Sequence, residues 1–216
     1  MDNNKKIRKK ISNEEIVNAI SHGIGILFAI VGLVILIVSA NRSGNTWHTV
    51  TFSIYGTTLI LLYLASTLYH SCPNGEVKRI LKICDHSAIF LLIAGSYTPL
   101  TLLVLRGKLG WTLFSIVWII ALAGIVFKVF FIKKFKSLST ILYIAMGWLV
   151  IFAIKPLYLT LNTSSIAFLV AGGLFYTLGT IFYSSKRFKY NHAIWHLFVL
   201  GGSVCHFFTM FYLLPQ

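Results

Sequence analysis

The sequence predicts an all-α integral membrane bundle of seven transmembrane helices. Hydrophobic residues make up 57% of the 216 residues and charged residues only 11%, whereas about a quarter of an average soluble domain is charged. Seven apolar runs, each about 20 residues long, alternate with polar or basic connections, and about 20 apolar residues are enough for a helix to cross a bilayer. Because backbone groups in lipid find no other partners, each run is predicted to be a helix.

The first three spans are predicted at residues 18–40, 50–70 and 83–105. The polar segment 41–45 separates the first from the second, and the turn-forming Pro-Asn-Gly at 73–75 separates the second from the third. The first run is longer than the apolar core of a secretory signal, which has about 7–15 residues. We therefore expect it to be retained as a membrane helix.

The last four spans are predicted at residues 109–131, 138–158, 165–183 and 192–214. A lysine-rich segment, a polar Asn-Thr-Ser-Ser segment and a second basic segment separate them in turn. No internal repeat or soluble domain is evident between them. We expect residues 1–17 to form a basic cytoplasmic arm and residues 18–216 to form a single seven-helix transmembrane domain.

The positions of the 19 Lys and Arg residues orient the predicted helices. Most of them lie at the N-terminus and in the second, fourth and sixth connections. Since basic residues are in excess in the cytoplasmic loops of membrane proteins, the N-terminus is predicted inside and the C-terminus outside. The net charge of +14 is therefore a sign of topology, and no nucleic-acid partner is predicted.

Asp85 is predicted to lie within the membrane, at the start of the third span. The other four acidic residues, Asp2, Glu14, Glu15 and Glu76, are expected in the N-terminal arm or in a loop. A carboxylate near the centre of a transmembrane helix costs about 2.5–3.5 kcal/mol, so an intramembrane acid is a candidate functional residue. The alternative is that Asp85 caps the third helix at the interface.

Three histidines are predicted to converge with Asp85 at the cytoplasmic side. His192 and His196 are four residues apart, which places them on one helix face about 6 Å apart along the axis and suits two ligands of one metal. His70 ends the second span, so the predicted topology brings it to the same depth. Three imidazoles and one carboxylate resemble a catalytic zinc site, in which three protein ligands leave a position for water.

Neighbouring polar residues are assigned supporting roles. Asp85 is predicted to bind the ion directly or to hold its water, and Ser66, one turn before His70, to hydrogen-bond a ligand or contact the substrate. His22 is the reserve ligand or a hydrogen-bond partner of one. Alternatively, these histidines lie at the headgroup level or hydrogen-bond between helices.

Two other histidines are expected to lie apart from the ion. His206 follows His192 by about 21 Å on an ideal helix and is interpreted as a hydrogen-bonding residue between helices. His86 points about 100° away from Asp85 around the third helix. The sequence contains no GxSxG motif, no P-loop and no dinucleotide fingerprint, so it gives no support to a serine hydrolase, a nucleotidase or a Rossmann protein.

Four segments carry a resemblance to a known family: EEIVNAISHGIGI, STLYHS, DHSAIFLLIAGSYTP and NHAIWHLFVLGGSVCHFF. In them the sequence closely resembles the hemolysin III family, the bacterial branch of the progestin and adipoQ receptor group, over nearly the whole chain. The resemblance implies a seven-helix bundle with a zinc ion near the cytoplasmic face, bound by His70, His192 and His196. It also implies that Asp85 holds the zinc-bound water and that Ser66 completes a Ser-x-x-x-His motif.

The resemblance points to two different activities. The group is similar to alkaline ceramidases, which implies hydrolysis of a lipid amide by zinc-activated water, whereas the family name implies lysis of red cells through pores. We predict a zinc-dependent hydrolase of the bacterial cell membrane that acts on a lipid amide or ester in membrane lipid homeostasis. The alternatives are a pore-forming cytolysin and a lipid-binding receptor or sensor with a structural zinc site. The oligomeric state stays open.

Overall fold

A computed structural model describes residues 11–132, 136–185, 187 and 189–215, and this part of the chain is helical almost throughout and has no strand. It contains seven continuous helical spans that are long and apolar enough to cross a membrane. The predicted all-α class and the predicted number of spans are therefore confirmed.

The fifth span is built differently from the other six. The helices follow one another as α1 (Asn13–Ser43), α2 (Thr46–Ser71), α3 (Glu76–Pro99), α4 (Gly107–Phe131), α5 (Lys136–Gly147), α6 (Ile154–Thr160), α7 (Thr163–Ser184) and α8 (Asn191–Phe211). A 3₁₀ segment (Trp148–Ala153) joins α5 to α6 to make the fifth span, and a π-helical segment (Leu100–Leu105) extends α3. Neither irregular segment could be read from the apolar runs.

Capping side chains set where several helices begin. Ser12 starts α1, Asn45 starts α2 and Asn162 starts α7, each by accepting a backbone N–H of the first turn. Such caps satisfy donors that the helix itself leaves free. Helix α1 therefore begins ahead of the predicted start at residue 18, and its first turns carry polar side chains.

Successive spans run antiparallel, so their ends alternate between the two ends of the bundle. Helices α1, α3, α5 and α8 begin at one end, where α2, α4 and α7 finish; we call it the histidine end. Helix α1 packs against α2 and α8, α2 packs against α3, and α7 packs against α8. At Gly95 in α3 a side chain would overlap Thr58 Oγ1 in α2, so glycine lets these two helices approach closely.

The outer surface of the bundle is apolar. Large side chains such as Leu27, Phe130, Phe152 and Leu159 are each more than 60% exposed. A soluble domain rarely exposes extended apolar patches of this kind, whereas lipid covers them without cost. The chain is thus a multi-pass membrane protein.

Candidate metal centre

Three histidines meet at the histidine end of the bundle. One ring nitrogen from each of His70, His192 and His196 lies within 4.8 Å of the other two, and the ring centroids are 4.7–5.0 Å apart. Donor atoms in a tetrahedral zinc site, each about 2.0–2.1 Å from the ion, are about 3.3 Å apart. Small side-chain shifts would close this difference, so the three histidines could hold a metal ion.

Two helices supply the three rings. His192 and His196 lie one turn apart in α8, and His70 lies in the last turn of α2. His70 and His196 are buried and His192 is half-buried. Helix α8 fixes the spacing between His192 and His196. The geometry of the three-histidine group therefore depends on how the His70 ring is held.

Helix α1 contacts the outer nitrogen of His70. Glu15 Oε2 lies 3.0 Å from His70 Nδ1 and 2.8 Å from Lys78 Nζ. A carboxylate oxygen accepts, so His70 Nδ1 carries the hydrogen and the neutral ring keeps a lone pair on Nε2. His70 Nε2 is buried and has no hydrogen-bond partner among the described residues.

Helix α1 also contacts the outer nitrogen of His196. His196 Nδ1 lies 3.2 Å from the Asn18 carbonyl oxygen and 3.0 Å from Ser21 Oγ, which itself donates to that carbonyl. Since a carbonyl only accepts, His196 Nδ1 donates and Nε2 is left with its lone pair. Histidines that bind metals commonly donate their second ring N–H in this way. The surroundings of His70 and His196 therefore fit a bound metal ion.

Asp85 and Ser66 lie beside the group without belonging to it. Both are buried, and both line a cavity of about 180 Å³ together with His192 and His196. Asp85 Oδ2 lies 3.3 Å from the Nδ1 atom of His86. Among the described residues, the Asp85 carboxylate is not part of the set of atoms that could share one ion with the three histidines.

His22 lies against the group on the α1 side. Its ring stacks on that of His196 and meets the ring of Tyr63 edge-on. It lines the same cavity, and within the described residues neither of its ring nitrogens has a hydrogen-bond partner. All six residues predicted for the site are thus brought together at one end of the bundle.

The histidine group lies between two cavities of different character. The 180 Å³ cavity is lined largely by apolar side chains of α3, α5, α7 and α8 and reaches His206. A second cavity of about 220 Å³ is polar and is lined by Ser12, Glu14, Glu15, Asn18, Tyr69, His70, Lys82, His86, Tyr183 and His192. His192 and His86 line both cavities. A molecule with an apolar chain and a polar head would therefore meet the histidines at its junction.

The sequence prediction was wrong about the surroundings of Glu15. It was expected in an arm or a loop, but it lies in the first turn of α1 and contacts His70. Glu15, Asn18 and His22 follow one another at i, i+3 and i+7, which places them on one face of an otherwise apolar helix. That polar stripe is the signal that would have predicted the contribution of α1.

Seven helical spans, with a group of three histidines at one end of the bundle, define an integral membrane protein with a candidate metal centre. Residues 10–207 match the family described as Haemolysin-III related. The chain belongs to the hemolysin III family, as the four sequence segments predicted.

Similar proteins occur in bacteria and in animals. The chain is 53% identical to Hemolysin-3 of Bacillus cereus over 203 residues, or 94% of this chain and 93% of that protein. It is 54% identical to the Hemolysin-3 homolog of Bacillus subtilis over 199 residues, which cover 92% and 93% of the two chains. Human monocyte to macrophage differentiation factor is 30% identical over 203 residues, with 91% and 83% covered, and connects the chain to the progestin and adipoQ receptor group.

Proposed function

We propose that this protein is a zinc-dependent membrane hydrolase that cleaves an amide or ester bond of a lipid. The observation that carries the proposal is the group of His70, His192 and His196 at the junction of an apolar and a polar cavity. Two of these rings have their outer nitrogen engaged by α1, which leaves the inner nitrogen for a metal. Three imidazole ligands with a carboxylate nearby are typical of zinc sites that keep an open position.

Zinc in such a site polarises a carbonyl group and lowers the pKa of a bound water to about 7. The protein residues around it would orient the reactants. Asp85 lies in the same cavity but outside the three-histidine set, which favours a role in accepting a hydrogen bond or a proton from water over a role as a ligand. The Ser66 hydroxyl lines the cavity one turn from His70 and is suited to hydrogen-bond a substrate carbonyl.

A membrane lipid is the substrate class that suits the two cavities. The apolar cavity matches an acyl chain, and the polar cavity, which contains Glu14 and Lys82, matches a headgroup. Ile151, Ile154 and Val170 line the apolar cavity and are each more than 40% exposed. A lipid could therefore enter sideways from the bilayer without passing through water.

The proposal includes the orientation of the bundle in the membrane. The basic residues concentrated in the N-terminal segment and the even-numbered connections favour the histidine end on the cytoplasmic side. The hydrolysed bond would then lie near the cytoplasmic face of the cell membrane, and the activity would contribute to membrane lipid homeostasis.

A second candidate is a cytolysin or a lipid-binding receptor in which the metal only holds helices together. It is favoured by the names of the two Bacillus relatives, Hemolysin-3 and Hemolysin-3 homolog. In this case His70 would tie α2 to α8 through the ion, and the cavities would bind lipid without cleaving it.

Metal analysis of detergent-purified protein tests the proposal. We expect about one zinc per chain, as in a mononuclear catalytic site, and its loss in His70→Ala, His192→Ala and His196→Ala. His206→Ala, which changes a histidine at the far part of the apolar cavity, should keep the metal. The zinc-loaded protein is then incubated with lipid amides and esters. Folded wild type without metal would overturn the hydrolase, and a zinc protein inert toward every lipid amide and ester would favour the structural role.

A further inference from the structure

We propose that Glu15 is a positioning residue of the metal centre, which fixes the tautomer and the ring orientation of His70. The inference rests on the proposed function, because it requires His70 to bind the ion. It goes beyond it by assigning part of the site to the first turn of α1, which lies outside the three histidines and the two residues proposed to act on the substrate.

The contact between Glu15 and His70 is direct. Glu15 Oε2 lies 3.0 Å from His70 Nδ1, and the side chain of His70 is only 3% exposed. Asn18 Nδ2 lies at 3.5 Å from the same nitrogen, which is beyond the usual length of an N–H hydrogen bond. Glu15 is therefore the partner that decides which nitrogen of His70 carries the hydrogen.

A lysine also holds the Glu15 carboxylate in place. Lys78 Nζ donates to Glu15 Oε2 at 2.8 Å and to the carbonyl oxygen of Cys72 at 3.1 Å. Lys78 belongs to the first turn of α3 and Cys72 follows the end of α2, so Glu15 connects the start of α1 to both neighbouring helices. The carboxylate therefore has little freedom to leave His70.

His70 needs such a partner more than the other two histidines do. His192 and His196 share α8, so their relative position is set by the helix. His70 comes from a different helix, and without the Glu15 contact its ring could rotate or take the other tautomer. Its Nε2 atom, which is buried without a partner, would then no longer face the pair. Outer partners of this kind typically change metal affinity by about 10–100-fold.

Zinc affinity of three variants tests the inference. The probe is zinc itself, measured by competition with a chelating dye in detergent. We expect Glu15→Ala to weaken zinc binding by about 10–100-fold, and Glu15→Gln to weaken it less, because the amide oxygen still accepts from Nδ1. Glu14→Ala is the matched control: it removes the same charge from the same helical turn, from a residue that lines the polar cavity, and should bind zinc like wild type.

Cobalt(II) substitution separates positioning from a general structural role. Glu15→Ala should change the visible absorption of bound cobalt, because the orientation of one ligand changes, whereas a variant that only unfolds more easily keeps the wild-type spectrum.

Wild-type zinc affinity in Glu15→Ala, or an equal loss in Glu14→Ala, overturns the inference while the proposed function stands. If Glu15→Ala does not fold, Glu15→Met decides, because its side chain has a similar length but no oxygen to accept from His70 Nδ1; wild-type zinc affinity in that variant overturns the inference. Absence of zinc in the wild type defeats the proposed function instead.

Discussion

The ring of His22 lies flat on the ring of His196, with centroids 3.5 Å apart and planes 8° from parallel. The stack brings a fourth imidazole against the three-histidine group. His22 is only 3% exposed, and neither of its ring nitrogens has a hydrogen-bond partner in the described part of the chain. Burying a ring nitrogen without a hydrogen bond lowers the free energy of unfolding. At this position the packing of the His22 ring therefore stabilises the fold, whereas its two nitrogen atoms destabilise it.

His22→Phe is therefore expected to keep zinc and to unfold at the same temperature as wild type or a higher one. The phenyl ring preserves the stack on His196 and the edge contact with Tyr63, and it removes two buried groups that lack partners. Metal content and thermal unfolding in detergent measure both effects. His22→Ala, which removes the stacked ring, should unfold at a lower temperature. Loss of zinc in His22→Phe would show instead that His22 is a ligand.

Ser21→Ala should weaken zinc binding less than Glu15→Ala does. Ser21 Oγ shares the His196 Nδ1 hydrogen with the carbonyl oxygen of Asn18, and that carbonyl remains after the substitution. Loss of one such hydrogen bond costs about 0.5–1.5 kcal/mol, or at most about tenfold in affinity. The chelator competition measures it, with Ser53→Ala, a hydroxyl bonded within α2, as the control. A larger effect than that of Glu15→Ala would contradict the view that a backbone carbonyl also holds His196.

Adjacent glycines in α7 predict opposite effects on stability. A side chain at Gly172 would overlap the His206 ring of α8, whereas a side chain at Gly173 meets no atom within 4 Å. Gly172→Ala should therefore lower the unfolding temperature by separating α7 from α8. Gly173→Ala should leave it unchanged or raise it, since alanine is favoured over glycine in a helix by about 1 kcal/mol. Thermal unfolding of the pair measures this, and equal behaviour would argue against the close contact of the two helices.

The apolar runs were sufficient to predict the number of spans and the meeting of His70 with His192 and His196. Both follow from length and from the alternation of antiparallel helices, which do not depend on side-chain detail. The contact of Glu15 with His70 could not be predicted from hydropathy, because the start of α1 is set by the cap at Ser12 and precedes the apolar run. The stack of His22 on His196 depends on how closely α1 packs against α8, which a single sequence does not show.

The π-helical and 3₁₀ segments could not be predicted from hydropathy either. Pro99 lacks the N–H that would continue the α-helical pattern, and the chain beyond it forms the π-helical turn in which the Arg106 N–H bonds the carbonyl of Thr101. In the fifth span the 3₁₀ segment begins after Gly147, and Pro156 lies in the short helix that follows it. Apolar side chains continue through both segments, so hydropathy alone reports one uniform helix.

Asp85→Asn tests the chemistry separately from the metal. The carboxylate lies in the cavity beside His192 and His196 but outside the set that could share the ion, so the variant should keep its zinc. If Asp85 takes a proton from water, the amide cannot replace it, and hydrolysis of a lipid amide or ester cleaved by wild type should fall by about 10²–10⁴-fold. The measurement is the turnover rate together with zinc content.

Ser87→Ala on the same helix is the control, because its hydroxyl has no hydrogen-bond partner among the described residues and its loss should leave turnover unchanged. Loss of zinc together with turnover in Asp85→Asn would make Asp85 a metal ligand, and full turnover with zinc bound would remove it from the reaction.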